Sequence, residues 1–593
     1  MYTIRGKSNI YKVNKKFFWG WIMMDNLSLA GQANYKKIKD GEPIYKEFQQ
    51  MAEEPMKYNT DLLMKILADN KDTEYGKKYH FEDIHSVEEF QKKVPISRYD
   101  DYVDYILRET EGDEKHLLCA YDVMHYNKSS GTMGNPKRLP MSDKAIEIFG
   151  KYNNGYMNAL LADKLGMDWI DGKCMSITES ASYINTLKNG ATYGALSVKM
   201  VLNFREYLPL LYTSPDEATF PESGVNTRYL HARFGLMDKN ITNAGASFYS
   251  FYLELLRYIE GKWELLVKDI ELGTIDESIQ MPEEVRESLL KKIQPMPKRA
   301  AELREIFEQG FEEPFVPKVW PKLRFLAGVG TGGFKSYADK IKSDYTGEQV
   351  RQYKTGLSAS EGIFSIPFDL DVEDSTFIPD SMFYEFLPLE AGDDFSKIVT
   401  LDKVEVGKDY EIITTNLSGF YRYRMRDAVR ITGKYKELPT MQFLYRIDQT
   451  VSIMGEKTTE VAIRSAAEKT AQELGFELID FSMYPDLEAR PVRYLYFMEL
   501  GKMPEGLKAK EIRYVLEKKL AEANPSMGQK VAAGICGATK LNILEPETYM
   551  LYRDLMVAKG TASGQVKPVS IITNELQRKF FFGLTEYGVE VVK

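Results

Sequence analysis

Lys128-Ser129-Ser130-Gly131-Thr132-Met133-Gly134-Asn135-Pro136-Lys137 gathers three hydroxyls, two glycines and a closing lysine into one short stretch. Glycines let backbone N–H groups approach an anion closely, hydroxyls add short donors, and lysine supplies a mobile positive charge. A triphosphate needs that chemistry. No Gly-Lys-Ser/Thr ends the stretch, which argues against a P-loop NTPase. Taken alone, the same residues also describe a polar surface loop rich in glycine and proline.

The rest of the chain sets the frame for that stretch. At 593 residues it exceeds the roughly 250–300 residues at which one core stops growing, so two or more domains are expected. Hydrophobic residues make up 44%, charged residues 28% and aromatics 12%, the composition of an ordinary globular protein. Lys and Arg number 78 against 87 Asp and Glu, a net charge of −9. Such a surface carries no footprint for nucleic acid or an anionic membrane. Cys119, Cys174 and Cys536 lie far apart and form no CxxC site, which fits a reducing, cytoplasmic setting. His80, His85, His116, His125 and His231 lack the spacing of a histidine-bound metal. The apolar run Phe17–Met24 is too short to span a bilayer and reads as an anchoring segment. No obligate protein partner is evident.

Residues 43–110 read as helices; in one, Thr60-Asp61 would cap a run with Leu62, Leu63, Ile66 and Leu67 on one face and Asn70 near its end. Ser250–Ile259 and Glu283–Ile293 repeat the helical spacing. Leu323–Val329, Tyr410–Thr415, Ala428–Thr432 and Gln442–Ile447 read as strands. After Asp448 the texture changes. Thr459–Leu474 and Ala509–Ala523 are helical, Phe476–Tyr484, Val492–Leu500 and Leu541–Leu544 are strand-like, and Glu547–Ala558 is a further helix. That is an α/β unit of roughly 145 residues, an ordinary domain size. No Pro/Gly linker marks its start, so a tight hinge near 447–450 is expected.

Four further segments carry chemistry. Gly330-Thr331-Gly332-Gly333 follows a strand, and its bare backbone could lie beside a flat ring, or simply make a tight turn. In Leu357-Ser358-Ala359-Ser360-Glu361 a hydroxyl beside a carboxylate could orient an α-phosphate and hold Mg²⁺; otherwise Ser360 is a helix N-cap. In Gly419–Asp427, Asp427 at a strand could accept both ribose hydroxyls, with Arg422, Arg424 and Arg426 reaching phosphate or carboxylate; the bland reading is an exposed edge strand. Arg446-Ile447-Asp448 could supply a ribose-binding arginine and a torsional hinge, Asp448, or be a plain turn.

In this order, these motifs resemble the Gretchen Hagen three family, the auxin-responsive-promoter family of acyl-acid amido synthetases within the adenylate-forming superfamily. The resemblance covers nearly the whole chain. Thr73-Glu74-Tyr75-Gly76 and Val94-Pro95-Ile96 are similar to its N-terminal helices. Arg228-Tyr229-Leu230-His231, Trp263 and Asp269–Thr274 are similar to its middle. Trp320-Pro321 through Gly333, Ser358–Glu361, Phe383–Pro388 and Tyr421–Asp427 follow in family order. Gly560, Ser563, Gln565 and Lys567 resemble the tail that carries the superfamily's mobile lysine. Two positions depart from the pattern: Arg426 stands where the family has glycine, and Leu357 where an aromatic stacks on adenine.

The resemblance implies an α/β fold of the acyl-CoA synthetase/luciferase-like kind: a large N-terminal adenylation domain of mixed sheets and helices, residues 1–447, and a small mobile C-terminal domain, residues 448–593. It implies ATP and Mg²⁺, a small carboxylic acid activated as acyl-adenylate, and transfer to an amine, in most cases an amino acid. Ser129, Ser130, Gly131, Thr132 and Lys137 would cradle the β- and γ-phosphates, with Gly332, Gly333 and Ser360 beside the nucleotide. Glu361 would hold the metal, Asp427 and Arg446 the ribose, and Lys567 would bridge acyl and phosphate oxygens. Two alternatives stand beside this: an acyl-CoA ligase using the same adenylate, and a non-catalytic nucleotide or acyl sensor. The acyl pocket is expected within residues 145–310, where Tyr152, Tyr156, Trp169 and Phe248 could line it or be plain core.

Overall fold

The strand Phe325–Val329 is apolar at almost every position, the mark of a strand covered on both faces. It lies inside a four-stranded parallel sheet in the order Cys174–Ile177, Asn243–Phe248, Phe325–Val329, Arg351–Lys354. The computed structural model describes residues 27–589 except 129–136, 179–183, 204, 223, 448–450, 452, 455, 457, 560 and 562–565. The expectations for Phe17–Met24, for Ser129, Ser130, Gly131 and Thr132, for Asp448, and for Gly560, Ser563 and Gln565 fall outside the described residues.

A second, seven-stranded sheet is antiparallel throughout. Its order is Ser365–Ile366, Ser375–Phe377, Leu438–Arg446, Tyr423–Tyr435, Asp409–Asn416, Met382–Pro388, Val399–Thr400. Tyr423–Tyr435 is therefore an interior strand, not the exposed edge that its arginines allowed. A third sheet joins Arg138–Ser142, Val123–Lys128, Thr192–Gly194 and Asn185–Thr186, so the segment 128–137 leaves one strand and returns on its antiparallel neighbour.

The early helices cover the seven-stranded sheet. Pro55–Asn70 begins earlier than its Thr60-Asp61 signal, with proline in its first turn. Its Leu63, Ile66 and Leu67 are buried in one core with Phe48, Tyr102, Phe377, Tyr384 and Phe420. Each such side chain contributes about 1.5–3 kcal/mol when fully buried. A second core forms between the long helix Tyr249–Leu272 and the parallel sheet, around Tyr229, Tyr249 and Trp320.

After residue 459 the chain builds a separate four-stranded sheet, in the order Leu478–Asp486, Arg493–Leu500, Lys540–Leu544, Thr585–Val589. It has its own apolar clusters, one around Ile463, Tyr496 and Leu516 and one around Phe497 and Phe581. Thr459 caps the helix Glu460–Leu474 by accepting from Ala462 N–H at 3.2 Å, and Gly475 ends it at φ +70°. This part meets the rest through ion pairs: Arg257–Glu477 and Arg228–Asp554, each at 2.8 Å, and Arg553 with Glu254. No helix among the described residues is long and apolar enough to cross a membrane.

Candidate active site

Asp427 and Arg446 stand directly opposite each other on neighbouring strands of the seven-stranded sheet. Arg446 Nε and Nη2 donate to the two oxygens of Asp427 at 2.9 and 3.1 Å. Asp427 is almost wholly buried, and Arg446 keeps one side open. The carboxylate is aimed by a bulge, because Met425-Arg426-Asp427 bow out between the pairs Ile413↔Arg424 and Glu411↔Ala428.

That bulge requires a left-handed residue, and Arg426 supplies it at φ +59°. A non-glycine residue there costs about 1–2 kcal/mol, the physical content of the departure from glycine. The Arg426 guanidinium reaches Glu411 at 3.2 Å.

The other two arginines do not face a ligand. Arg422 is buried and pairs with Glu385 through Nε and Nη2 at 3.0 and 2.9 Å, while its Nη1 caps the carbonyls of Gln91 and Val94. Arg424 grips Glu411 at 2.9 and 2.6 Å and reaches Asp393 at 2.7 Å. Both act as rivets that fix the strand carrying Asp427; of the two partners the sequence allowed, phosphate or carboxylate, they take carboxylate.

Ser360 and Glu361 form the turn of a small hairpin, Ser358-Ala359 against Gly362-Ile363. The helix-cap reading of Ser360 is thus wrong: there is no helix, and Gly362 at φ +147° continues the hairpin. Two asparagines outside the sequence expectations hold this turn by its carbonyls. Asn127 Nδ2 donates to Ser360 O at 2.7 Å, and Asn416 Nδ2 to Glu361 O at 3.1 Å. Asn127 is the penultimate residue of the strand Val123–Lys128, so the end of that strand lies beside Ser360. Asn416 does have a local signal, since its Oδ1 accepts from Ser418 and Phe420 N–H in an Asn-Leu-Ser-Gly turn.

The Glu361 carboxyl is buried and accepts no hydrogen bond from another side chain among the described residues. Burial pushes its pKa up; Arg446 and Lys137 pull it down, and Asp427 adds to the rise. A buried carboxylate that accepts from backbone but from no side chain among the described residues keeps lone pairs for a hard cation, so the donor chemistry here fits Mg²⁺. Lys137 is exposed on the same side, its ammonium 4.9 Å from the centre of the Tyr99 ring.

Lys567 enters from the C-terminal part. Its side chain is exposed. Desolvation by the protein packed near its ammonium, then the Arg446 charge, lowers its pKa, with Asp427 and Glu460 acting the other way. Lys137, Glu361, Asp427, Arg446 and Lys567 therefore form one electrostatically coupled group. Gly332, at φ +57°, turns its bare face toward Phe443, three residues before Arg446; Gly333 turns its own toward Glu460 and Arg464.

Of the aromatics considered for an acyl pocket, Tyr152, Tyr156 and Trp169 are core. Tyr152 bonds Asp380 and Tyr156 bonds Pro367 O, and Trp169 meets Phe325 edge-on at 5.2 Å. Phe248 differs. It ends its strand half-exposed and stacks on Phe334 at 4.6 Å, one residue past Gly333. Leu357 is half-buried against the main core, and its N–H donates to Ser365 Oγ at 2.8 Å.

Comparison with known proteins gives a consistent result. Residues 44–350 match the GH3 family N-terminal domain, 375–446 its central domain and 461–576 its C-terminal domain. The chain is similar to jasmonoyl-L-amino acid synthetase JAR6 of Nicotiana attenuata, 27% identical over 90% of this chain and 93% of that one. It is also similar to 4-substituted benzoates-glutamate ligase GH3.12 of Arabidopsis thaliana, 25% identical over 89% and 94%. Among solved structures, GH3.15 acyl acid amido synthetase superposes with a TM-score of 0.79 at 22% identity, covering 93% of this chain and 97% of that one. At that identity the superposition speaks to the fold.

Proposed function

The chain belongs to the GH3 family, and from that premise we propose that it is an ATP-dependent ligase joining a small carboxylic acid to an amine. The amine is an amino acid, as in the relatives named for jasmonoyl-amino acid and benzoate-glutamate synthesis. One observation carries the reading to this chain: Arg446 pairs with Asp427 through both carboxylate oxygens, and Glu361 and Lys567, from distant segments, lie near enough to feel that pair's charges.

In the first half-reaction the acid's carboxylate attacks the α-phosphate of ATP and pyrophosphate leaves. Charge grows on the phosphoryl oxygens, and prearranged donors facing them are the main catalytic requirement. We assign Ser129, Ser130, Gly131, Thr132 and Lys137 to the β- and γ-phosphates, and Lys567 to the oxygens shared by acyl and phosphate. Asp427 accepts the ribose hydroxyls, with Arg446 beside it. Glu361 would hold Mg²⁺, which when bound neutralises phosphate charge. Gly332, Gly333 and Ser360 flank the nucleotide.

In the second half-reaction the amine nitrogen attacks the acyl carbon, AMP leaves with the bonding pair, the nitrogen gives up one proton to solvent, and an amide forms. The acyl-adenylate is already activated, so no covalent enzyme intermediate is required. We divide the chain into working parts at 447/448, with Asp448 as hinge and the C-terminal part withdrawing Lys567 before the amine enters. The free cysteines Cys119, Cys174 and Cys536 suit a reducing, cytoplasmic setting.

The test is a pyrophosphate-release screen of carboxylic acids crossed with amino acids, followed by product mass. Acid-dependent pyrophosphate release and an amide product support the reading. A thioester formed when CoA replaces the amino acid would redirect it to an acyl-CoA ligase, and nucleotide binding without pyrophosphate release would redirect it to a sensor.

A further inference from the structure

The segment that bears Lys567 is fastened a few residues further on. Met483 N–H donates to Ser570 O at 2.9 Å, Ile572 N–H donates to Met483 O at 2.8 Å, and Ser482 Oγ bonds Val569 O. These bonds lay residues 569–572 along the strand Leu478–Asp486. Ser570, itself buried, then uses its side chain twice: its Oγ donates to Glu460 Oε1 at 2.7 Å and accepts from Arg464 Nη2 at 3.2 Å. Glu460 and Arg464 are one turn apart on the helix Glu460–Leu474, 3.7 Å from each other. They are also the groups against which Gly333 presents its bare face, at 3.6 and 3.7 Å from the position a Cβ would take.

Glu460 thus touches three things at once. It holds the lysine segment through Ser570, it abuts the glycine turn of the large part, and its charge is felt by Lys567. Arg464 lies over the Phe481 ring at 4.9 Å, so this guanidinium is packed in place. A second fastening lies close by, where Tyr337 Oη donates to Asp480 Oδ2 at 3.1 Å, four residues past Gly333.

We propose that Glu460 is a positioning residue for the adenylation step: through its hydrogen bond with Ser570 it sets where Lys567 presents its ammonium to the Asp427–Arg446 end of the cleft. The inference rests on the ligase reading and deepens it. Glu460 itself touches no reacting atom.

The experiment measures the two half-reactions separately in Glu460→Ala, Glu460→Gln and Ser570→Ala. Glu460→Ala loses the hydrogen bond from Ser570 and Ser570→Ala loses that bond and the one from Arg464, so acid-dependent pyrophosphate release should fall about tenfold or more in kcat. The KM for ATP should stay within about twofold, because Asp427 and Arg446 are untouched. Amide formation from supplied acyl-adenylate should be unchanged. Glu460→Gln still offers an oxygen to the Ser570 hydroxyl and should recover most of the loss. Hydrogen exchange at Ile572 should quicken in both alanine variants and remain slow in Glu460→Gln.

Equal losses in both half-reactions, unaltered pyrophosphate release, or no recovery in Glu460→Gln would each overturn the proposal. If the unsubstituted protein releases pyrophosphate with no acid, the ligase reading falls, and this positioning role falls with it. If it is active and the variants match it, this inference alone fails.

Discussion

Asp427 and Arg446 face each other across one rung of an antiparallel ladder, and Arg446 occupies both oxygens of the carboxylate. A ribose that uses Asp427 must therefore share it with, or take it from, Arg446. Asp427→Ala should raise the KM for ATP by about tenfold or more, the loss of one or two charge-assisted hydrogen bonds. Steady-state kinetics under saturating acid check this, and an unchanged KM would remove Asp427 from the nucleotide site.

Lys567→Ala should cripple adenylation by about 10²–10³, the scale of losing one transition-state donor. It should leave amide formation from supplied acyl-adenylate nearly intact. Pyrophosphate release and single-turnover aminolysis, measured side by side, decide it. Equal losses would mean that Lys567 acts through folding.

Glu361 is buried and its pKa is raised, mainly by burial. A cation binds the ionised form, so uptake of Mg²⁺ with ATP should be accompanied by a proton release that grows as pH is lowered. Calorimetry in two buffers of different ionisation heat reads that proton directly. Glu361→Gln should bind without releasing it and should lose the Mg²⁺ dependence of pyrophosphate release. The same proton release from both proteins would place the titrating group elsewhere.

Arg426→Gly removes a left-handed non-glycine residue and with it about 1–2 kcal/mol of strain. It also removes a part-exposed ion pair with Glu411, worth about 0–1 kcal/mol. Arg424 still neutralises Glu411 in the variant. Denaturant unfolding should therefore show only a small net gain, about 0–0.5 kcal/mol, after the extra freedom of glycine in the unfolded chain, about 0.4–1 kcal/mol, is counted. A loss of about 1 kcal/mol or more would mean that the Glu411 contact outweighs the backbone.

Burial pushes the Asp480 carboxyl up to about 6, with Arg464 and the Tyr337 hydroxyl pulling the other way. An acid whose native value lies above its ordinary one holds its proton more tightly when folded. Its contribution to stability is thus full below the ordinary aspartate range and is lost as pH rises to about 6. Without nucleotide, the Tm of Asp480→Asn relative to the unsubstituted protein should climb across that interval and then level. Parallel curves would show that Asp480 ionises freely.

Local patterns revealed much of this architecture. The helix Ala509–Ala523 has its observed bounds in the sequence because alanine, leucine and charged residues favour one state at every turn. The strand Tyr423–Tyr435 was visible only from Ala428 to Thr432. Its earlier half is rich in arginine, and arginine belongs in a sheet interior only when partners neutralise it. Those partners, Glu385 and Glu411, sit on the neighbouring strand and the one beyond, where no local window can find them. The same holds at the candidate site. Ser360-Glu361 offered a hydroxyl beside a carboxylate, yet its conformation depends on Asn127 and Asn416, which grip it from distant segments. The Glu460–Ser570 contact joins residues 110 positions apart.

Residues 569–572 are stitched to a strand of the C-terminal sheet, which anchors Lys567 two residues away from it. A stage of turnover that carries the cation off together with this anchor displaces a slab of protein. Such travel belongs to the microsecond-to-millisecond regime and meets frictional drag from the medium. Thickening the solvent with a viscogen should then slow the passage between half-reactions while leaving bond-making within each untouched.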